Sequence, residues 1–151
     1  MLFLMKKHIL LLLITVISLT SCTTSRSVIS DSANLDKYKY ASLTDVMNYN
    51  GSAALMDIEV KVYDALESTR LKMIGDRRIG ELSPLQKEQL LLVRFSASQN
   101  DEESVVSVNF VDYMTGKPVA SCRGAFGLGW DRNGDMKGAI NRVVEQIKKL
   151  F

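Results

Sequence analysis

The sequence predicts a single α/β (α+β) domain: one mixed sheet, element order β-α-β-β-β-β-α, with two helices packed on one face. Three observations lead to this. Two stretches carry apolar residues at helical spacing: Leu55, Ile58, Val62, Ala65 and Leu66 in one, and Met136, Ile140, Val143, Val144, Ile147 and Leu150 in the other. Between them, three runs alternate apolar and polar residues and are divided by polar turns, as half-buried strands do. A single sheet with both helices on one side buries all of these stripes together.

The chain opens on a segment of a different kind. Lys6 and Lys7 precede the apolar run Ile9 to Ile14, continued by Val16, Ile17 and Leu19, which matches the n- and h-regions of a secretion signal. Met5-Lys6-Lys7 opens such a signal in more usual form than Met1, so translation is expected to start at Met5. The run is shorter than the roughly 20 residues a membrane span requires. It closes on Leu19-Thr20-Ser21-Cys22, an aliphatic, a β-branched and a small residue before cysteine. This resembles the lipobox of bacterial lipoproteins, which implies cleavage between Ser21 and Cys22 and a lipid on the Cys22 sulfur. Residues 1–21 are therefore the expected signal peptide, 22–35 the lipidated cysteine with a flexible tether, and 36–151 the single domain.

From Thr23 to Ala33 the chain is rich in Ser and Thr and has no apolar period, so it reads as a flexible tether. Its eleven residues would span at most about 40 Å when extended, which keeps the domain near the membrane. Within it, Asp31-Ser32-Ala33 resembles the O-glycosylation triplet of exported proteins, making Ser32 the candidate modified residue.

Tyr38 to Leu43 is rich in β-formers and predicts the first strand. Asn48 to Gly51 supplies a turn, and Ser52 is the expected N-cap of a helix reaching about Ser68. Its polar side is Asp57, Lys61, Asp64 and Ser68. Leu71 to Ile74 resumes an extended pattern, completing a β-α-β unit with a parallel crossover. Ser83-Pro84 opens a single helical turn, with Ser83 as cap and Pro84 at the first helical position. Strands follow over Leu91 to Ala97, Val106 to Phe110 and Val119 to Phe126 as an antiparallel meander, turning at Asn100 to Glu103 and at Thr115-Gly116-Lys117-Pro118. Asn133-Gly134-Asp135 is expected to cap the closing helix.

Composition narrows the chemistry. The whole chain has 19 basic and 17 acidic side chains; Lys6 and Lys7 account for the difference, so the mature chain is neutral. Arg77-Arg78 and Lys148-Lys149 are its only basic doublets, too little for the footprint of a nucleic-acid-binding domain. The single histidine, His8, lies in the signal, which deprives the mature chain of the usual base for Ser or Cys nucleophiles and of the commonest zinc ligand. Cys122 sits on the apolar side of its strand and reads as a buried core thiol.

Asp131-Arg132-Asn133-Gly134-Asp135 resembles the start of a calcium loop, but Met136 and Arg142 stand where an EF-hand needs Gly and Glu. Gly124, Gly127 and Gly129 end a meander rather than join a first strand to a helix, so they read as sites of close backbone approach and not as a phosphate loop. Trp130 beside them is the only tryptophan and the candidate partner contact. No spacing calls for a metal or a cofactor.

The helix ending in A-L-E-S-T-R-L-K-M-I, then L-L-L-V-R-F-S-A-S, then V-S-V-N-F-V-D-Y-M-T-G-K-P-V-A-S-C-R-G, resembles the TolB amino-terminal type of domain found in envelope lipoproteins. In that group a strand ending in D-x-x-T-G-K turns back into a strand that closes with a small-residue segment, as Asp112 to Gly124 do here. The resemblance implies a non-catalytic binding or scaffolding role with an envelope protein partner, and it carries over no catalytic residue. Thr23 after the cysteine, with no acidic run, resembles the pattern that known sorting rules direct to the outer membrane, which implies a lipoprotein facing the periplasm, with exposure at the cell surface as the alternative. The second functional class is a small hydrolase or transferase that works without histidine, through Ser, Lys or carboxylates. The lipobox generates the first prediction: Cys22→Ala is expected to abolish fatty-acid labelling of the chain and to shift it from the membrane to the soluble fraction on fractionation.

Overall fold

The computed structural model describes residues 24–44, 53–127 and 131–151. Six strands form one mixed sheet: β1 Thr24–Ile29, β2 Tyr40–Leu43, β3 Lys72–Met73, β4 Leu90–Gln99, β5 Ser104–Asp112 and β6 Pro118–Phe126, in the order β1-β6-β5-β4-β2-β3. The helices are α1 Ala53–Glu67, α2 Pro84–Glu88 and α3 Arg132–Leu150, with 3₁₀ turns at Leu35–Lys37 and Asp76–Glu81. Strand β2 runs parallel to both β3 and β4, as a β-α-β unit requires, and β4, β5 and β6 form the antiparallel meander.

Side-chain alternation decides which face is covered. Leu91, Val93 and Phe95 of β4, Val106, Val108 and Phe110 of β5, and Ala120 and Cys122 of β6 point to one side and are buried. Ile58, Val62, Ala65 and Leu66 of α1 and Ala139, Ile140, Val143 and Ile147 of α3 close over them in one cluster. Each large aliphatic side chain so covered contributes about 1.5 to 3 kcal/mol. The C-terminal Phe151 completes the layer, its ring 4.9 Å from that of Phe110. On the opposite face only the β2 end is covered, by the segment from Asp76 to Glu88: Ser42 bonds Asp76 and Gln86 bonds Tyr40.

Local chemistry explains the turns. Ser83 and Gln86 form a capping box at α2, with Pro84 at its first turn. Asn100 Oδ1 accepts from the amides of Glu102 and Glu103, at 2.9 and 2.7 Å, and so folds the β4–β5 turn. At the β5–β6 turn Gly116 takes a φ of 68°, which a side chain would resist. Gly124 serves a different purpose: a Cβ there would run into the Ala139 carbonyl of α3, so glycine lets the helix backbone rest on the strand.

Asp112 ends β5 beside that turn, 4 % exposed. Its Oδ1 accepts from the Thr115 amide and hydroxyl, at 2.8 and 3.0 Å, and its Oδ2 accepts from Lys37 Nζ and Tyr38 Oη, each at 2.9 Å. Burial alone would raise the carboxyl's pKa; the Lys37 ammonium, the Thr115 amide and the Tyr38 and Thr115 hydroxyls outweigh it and hold it down at about 2. Burial and then the Asp112 carboxylate push the Tyr38 phenol up to about 12.

The structure departs from expectation in four places. Residues 24–29, read as part of a flexible tether spanning 22–35, form β1, paired with β6 from Thr24↔Ala125 to Ile29↔Ala120. All six are exposed, so backbone hydrogen bonds hold the strand and it leaves no apolar period in the sequence. This adds a strand to the predicted order, and the described fold starts at Thr24 rather than at residue 36. The strand predicted from Tyr38 begins at Tyr40, because Tyr38 turns inward to Asp112. The closing helix is capped by Asp131, which accepts from the Asn133 amide at 3.1 Å, with Asn133, Gly134 and Asp135 inside its first turn. The strand predicted over Leu71 to Ile74 is reduced to two residues. The turn at Asn48 to Gly51 and the cap Ser52 lie outside the described residues.

Two outcomes are expected. Gly124→Ala is expected to lose about 1 to 3 kcal/mol of stability in urea unfolding, since Ala139 is held by its own helix and cannot withdraw freely. Asp112 has a folded pKa near 2, below its unfolded value, so its contribution is complete above about pH 4 and is lost as pH falls through 2. Asp112→Asn is expected to cost about 2 kcal/mol at neutral pH and to flatten the acid limb of the stability profile between pH 4 and 2; an unchanged acid limb would refute the assignment.

Candidate functional site

The carboxyl ends of β2, β4 and β6 lie at one end of the sheet, where α1 and α3 both begin. In α/β sheets this is the end where connecting segments differ most freely and where ligands are usually held. Here the two helices diverge from the sheet and leave a groove of about 320 Å³ between Ala54 and Asp57 of α1, Gln99 of β4, and Asn133, Met136 and Lys137 of α3. Its wall is fastened by Gln99, whose Nε2 donates to Ser104 Oγ at 2.9 Å and to the Arg132 carbonyl at 2.7 Å. Arg132 in turn pairs with Asp101 at 2.5 Å. The groove continues along the helices between Asp57, Lys61 and Lys137. It therefore has an apolar floor of Met136 and Ile140 and a rim of amides, ammonium groups and one carboxylate.

The residues singled out from the sequence fall in different places. Ser21, Cys22 and Trp130 lie outside the described residues, as does Gly129. Ser32 is exposed in the turn after β1, its Oγ 3.3 Å from that of Ser30; it stands on a structured turn rather than on a tether. Cys122 is fully buried in the core, and burial pushes its thiol up to about 12, so the sulfur stays protonated and shielded. Asp131 is spent on the helix cap, and among the described residues no group of three or more His, Cys, Asp or Glu side chains stands where it could hold a metal ion. Gly124 and Gly127 permit close approach, to Ala139 and to Glu102 respectively.

Two features were not anticipated. Met56, Val60 and Tyr63 form a stripe at i, i+4 and i+7 on α1 and remain 55, 56 and 41 % exposed. A helical wheel of residues 53–67 would have shown it, but the stronger stripe through Ile58 and Val62 hides it. The uncovered sheet face presents Arg26, Arg94 and Arg123, drawn from three strands; nothing in the sequence brings these together, because their proximity depends on β1 docking beside β6.

No protein-family model matches this chain, and no curated protein matches it in sequence. Among solved structures, the fold is similar to that of the PelC dodecamer from Paraburkholderia phytofirmans in space group P6. The two share 17 % sequence identity with a TM-score of 0.51, over 85 % of this chain and 96 % of that one. A single-substitution variant of the same dodecamer, in space group C2, gives 16 % identity and a TM-score of 0.54 over the same shares of each chain. At such identities the likeness is one of fold alone.

Proposed function

We propose that this chain is a lipid-anchored protein of the bacterial cell envelope, held by an acylated Cys22 at the periplasmic side of the outer membrane, and that its domain binds another envelope protein rather than turning over a substrate. The observation that carries the binding role is the open stripe of Met56, Val60 and Tyr63. Large apolar side chains aligned on one side of a helix and left in water mark a surface that meets another molecule. The resemblance to TolB amino-terminal domains points the same way. No helix among the described residues is long and apolar enough to cross a membrane. Strand β1 begins two residues after Cys22, so an acylated chain would hold its domain against the bilayer with almost no slack. The PelC structures of similar fold are dodecamers, and a second copy of this chain is accordingly one form the partner takes.

Crosslinking in cells followed by capture of the lipidated protein is expected to bring down one envelope protein, or further copies of the chain, reproducibly. Cys22→Ala, by mislocalising the domain, and Val60→Lys, by charging the stripe while leaving the core intact, are each expected to lose that capture. Capture unchanged by Val60→Lys would remove the stripe from the interface, and background alone from the wild-type chain would sink the binding role.

A further inference from the structure

The uncovered face of the sheet carries an arrangement that the fold itself does not ask for. Arg26 of β1 stands directly opposite Arg123 of β6 in the antiparallel register, and like charges in that relation repel and cost stability. Arg94 of β4 joins them from the neighbouring row, in which it faces Asn109 and Asn109 faces Ser121. With strands about 4.8 Å apart, the three guanidinium groups share one flat surface about four strands wide. No strand residue on this side is acidic. Glu103, where β5 begins, answers one of them, its Oε1 3.6 Å from Arg123 Nη2. Arg26 and Arg94 have no ion pair among the described residues, and both are exposed. Because the mature chain is neutral overall, this concentration of positive charge orients the molecule rather than simply making it cationic.

We propose that this face seats on the anionic lipid headgroups of the membrane that holds the chain. The proposal rests on the reading of Cys22 as acylated. Arg26 is four residues from Cys22, at most about 14 Å of extended chain, so a lipid on that cysteine delivers the Arg26–Arg123 pair to the depth of the headgroups. Guanidinium groups bind phosphate oxygens in paired hydrogen bonds, and headgroup phosphates between Arg26 and Arg123 would relieve the repulsion that the register imposes. Seated this way, the sheet has its bare face on the bilayer. Helix α1, on the covered face, then presents Met56, Val60 and Tyr63 away from the membrane.

The test uses the full lipidated chain in vesicles of phosphatidylcholine, alone or mixed with phosphatidylglycerol, that carry a headgroup-linked nitroxide. A fluorophore is placed through Ser96→Cys on the open face or through Glu145→Cys on the outer side of α3; Cys22 is acylated and Cys122 is buried, so neither takes the label. In phosphatidylglycerol vesicles the label at position 96 is expected to be quenched several-fold more than the label at 145. The double substitution Arg26→Gln and Arg123→Gln is expected to erase that contrast while the protein stays on the vesicles with an unchanged circular dichroism spectrum. Equal quenching at the two positions in vesicle-bound protein, or a contrast indifferent to phosphatidylglycerol, would overturn the proposal and leave the anchor standing. Protein that does not float with vesicles at all would overturn the anchor and the seating together. A contrast abolished by inorganic phosphate at constant ionic strength would assign the arginines to free phosphate. Tight binding of soluble polyglutamate without quenching at position 96 would assign them to an acidic polymer. Either result would refute the lipid surface.

Discussion

The architecture depends on one buried carboxylate being fully satisfied. Asp112 closes the β5–β6 turn through Thr115 and reaches Lys37 and Tyr38, which precede β2 and lie 75 and 74 residues earlier in the chain. A charge removed from water must find this many partners or it will not remain charged. Meeting that demand fixes three things together: where β5 ends, how the chain enters β2, and which way Tyr38 points. It also gives the D-x-x-T-G-K segment a physical meaning. Asp accepts from the Thr amide and hydroxyl, Gly takes the positive φ, and the Lys117 carbonyl receives the Asp112 amide at 3.0 Å. The segment is a folding element, and it lies at the end of the sheet away from the groove.

At the other end and along the other edge, contact between backbones replaces charge as the organising factor. Gly124 allows α3 to lie on β6, which brings Gln146 down to the Arg123 carbonyl and to Ser25. Helix α3 thereby holds β6 from one side and reaches the edge strand β1 beside it. An exposed strand with no apolar residue turned into the core gains little from its side chains, so its docking relies on the ladder to β6 and on this one buried amide. The result is a sheet with two different faces, one sealed by α1 and α3, the other bare over β1, β6, β5 and most of β4. A domain this small has two unlike surfaces because its two long helices, α1 and α3, lie on the same side of the sheet.

The fold was legible in the sequence wherever burial is periodic. The alternation through Leu91, Val93 and Phe95, the helical spacing of Ile58, Val62 and Leu66, and that of Ile140, Val143 and Ile147 all mark residues that the structure buries. Each pattern reports contact with a face that is apolar throughout, and so survives without knowledge of the neighbours. Strand β1 was not legible, since Thr24 to Ile29 are exposed on both sides. The cap of α3 was misplaced by two residues because Asp131 and Asn133 are both good capping residues, and only the local backbone selects between them. Of the candidate site residues, Cys122 was placed correctly by its strand parity, whereas the apolar stripe of α1 was hidden behind the stronger one through Ile58 and Val62, and the groove at the helix starts could be seen only once the elements were packed together.

The sequence by itself determined the class of the domain, the covered face of the sheet, the meander and the structural status of Cys122 and the glycines, because these follow from local periodicity and the steric needs of single residues. It also carries Leu19-Thr20-Ser21-Cys22, whose resemblance to a lipobox requires no fold to be read. The tertiary structure alone decided that Arg26 faces Arg123, that Asp112 gathers Lys37 and Tyr38, and that Met56, Val60 and Tyr63 remain open. These depend on the register between strands 97 residues apart and on which elements pack side by side. Such long-range pairings come from the sum of many weak contacts, and no local pattern in the chain encodes them.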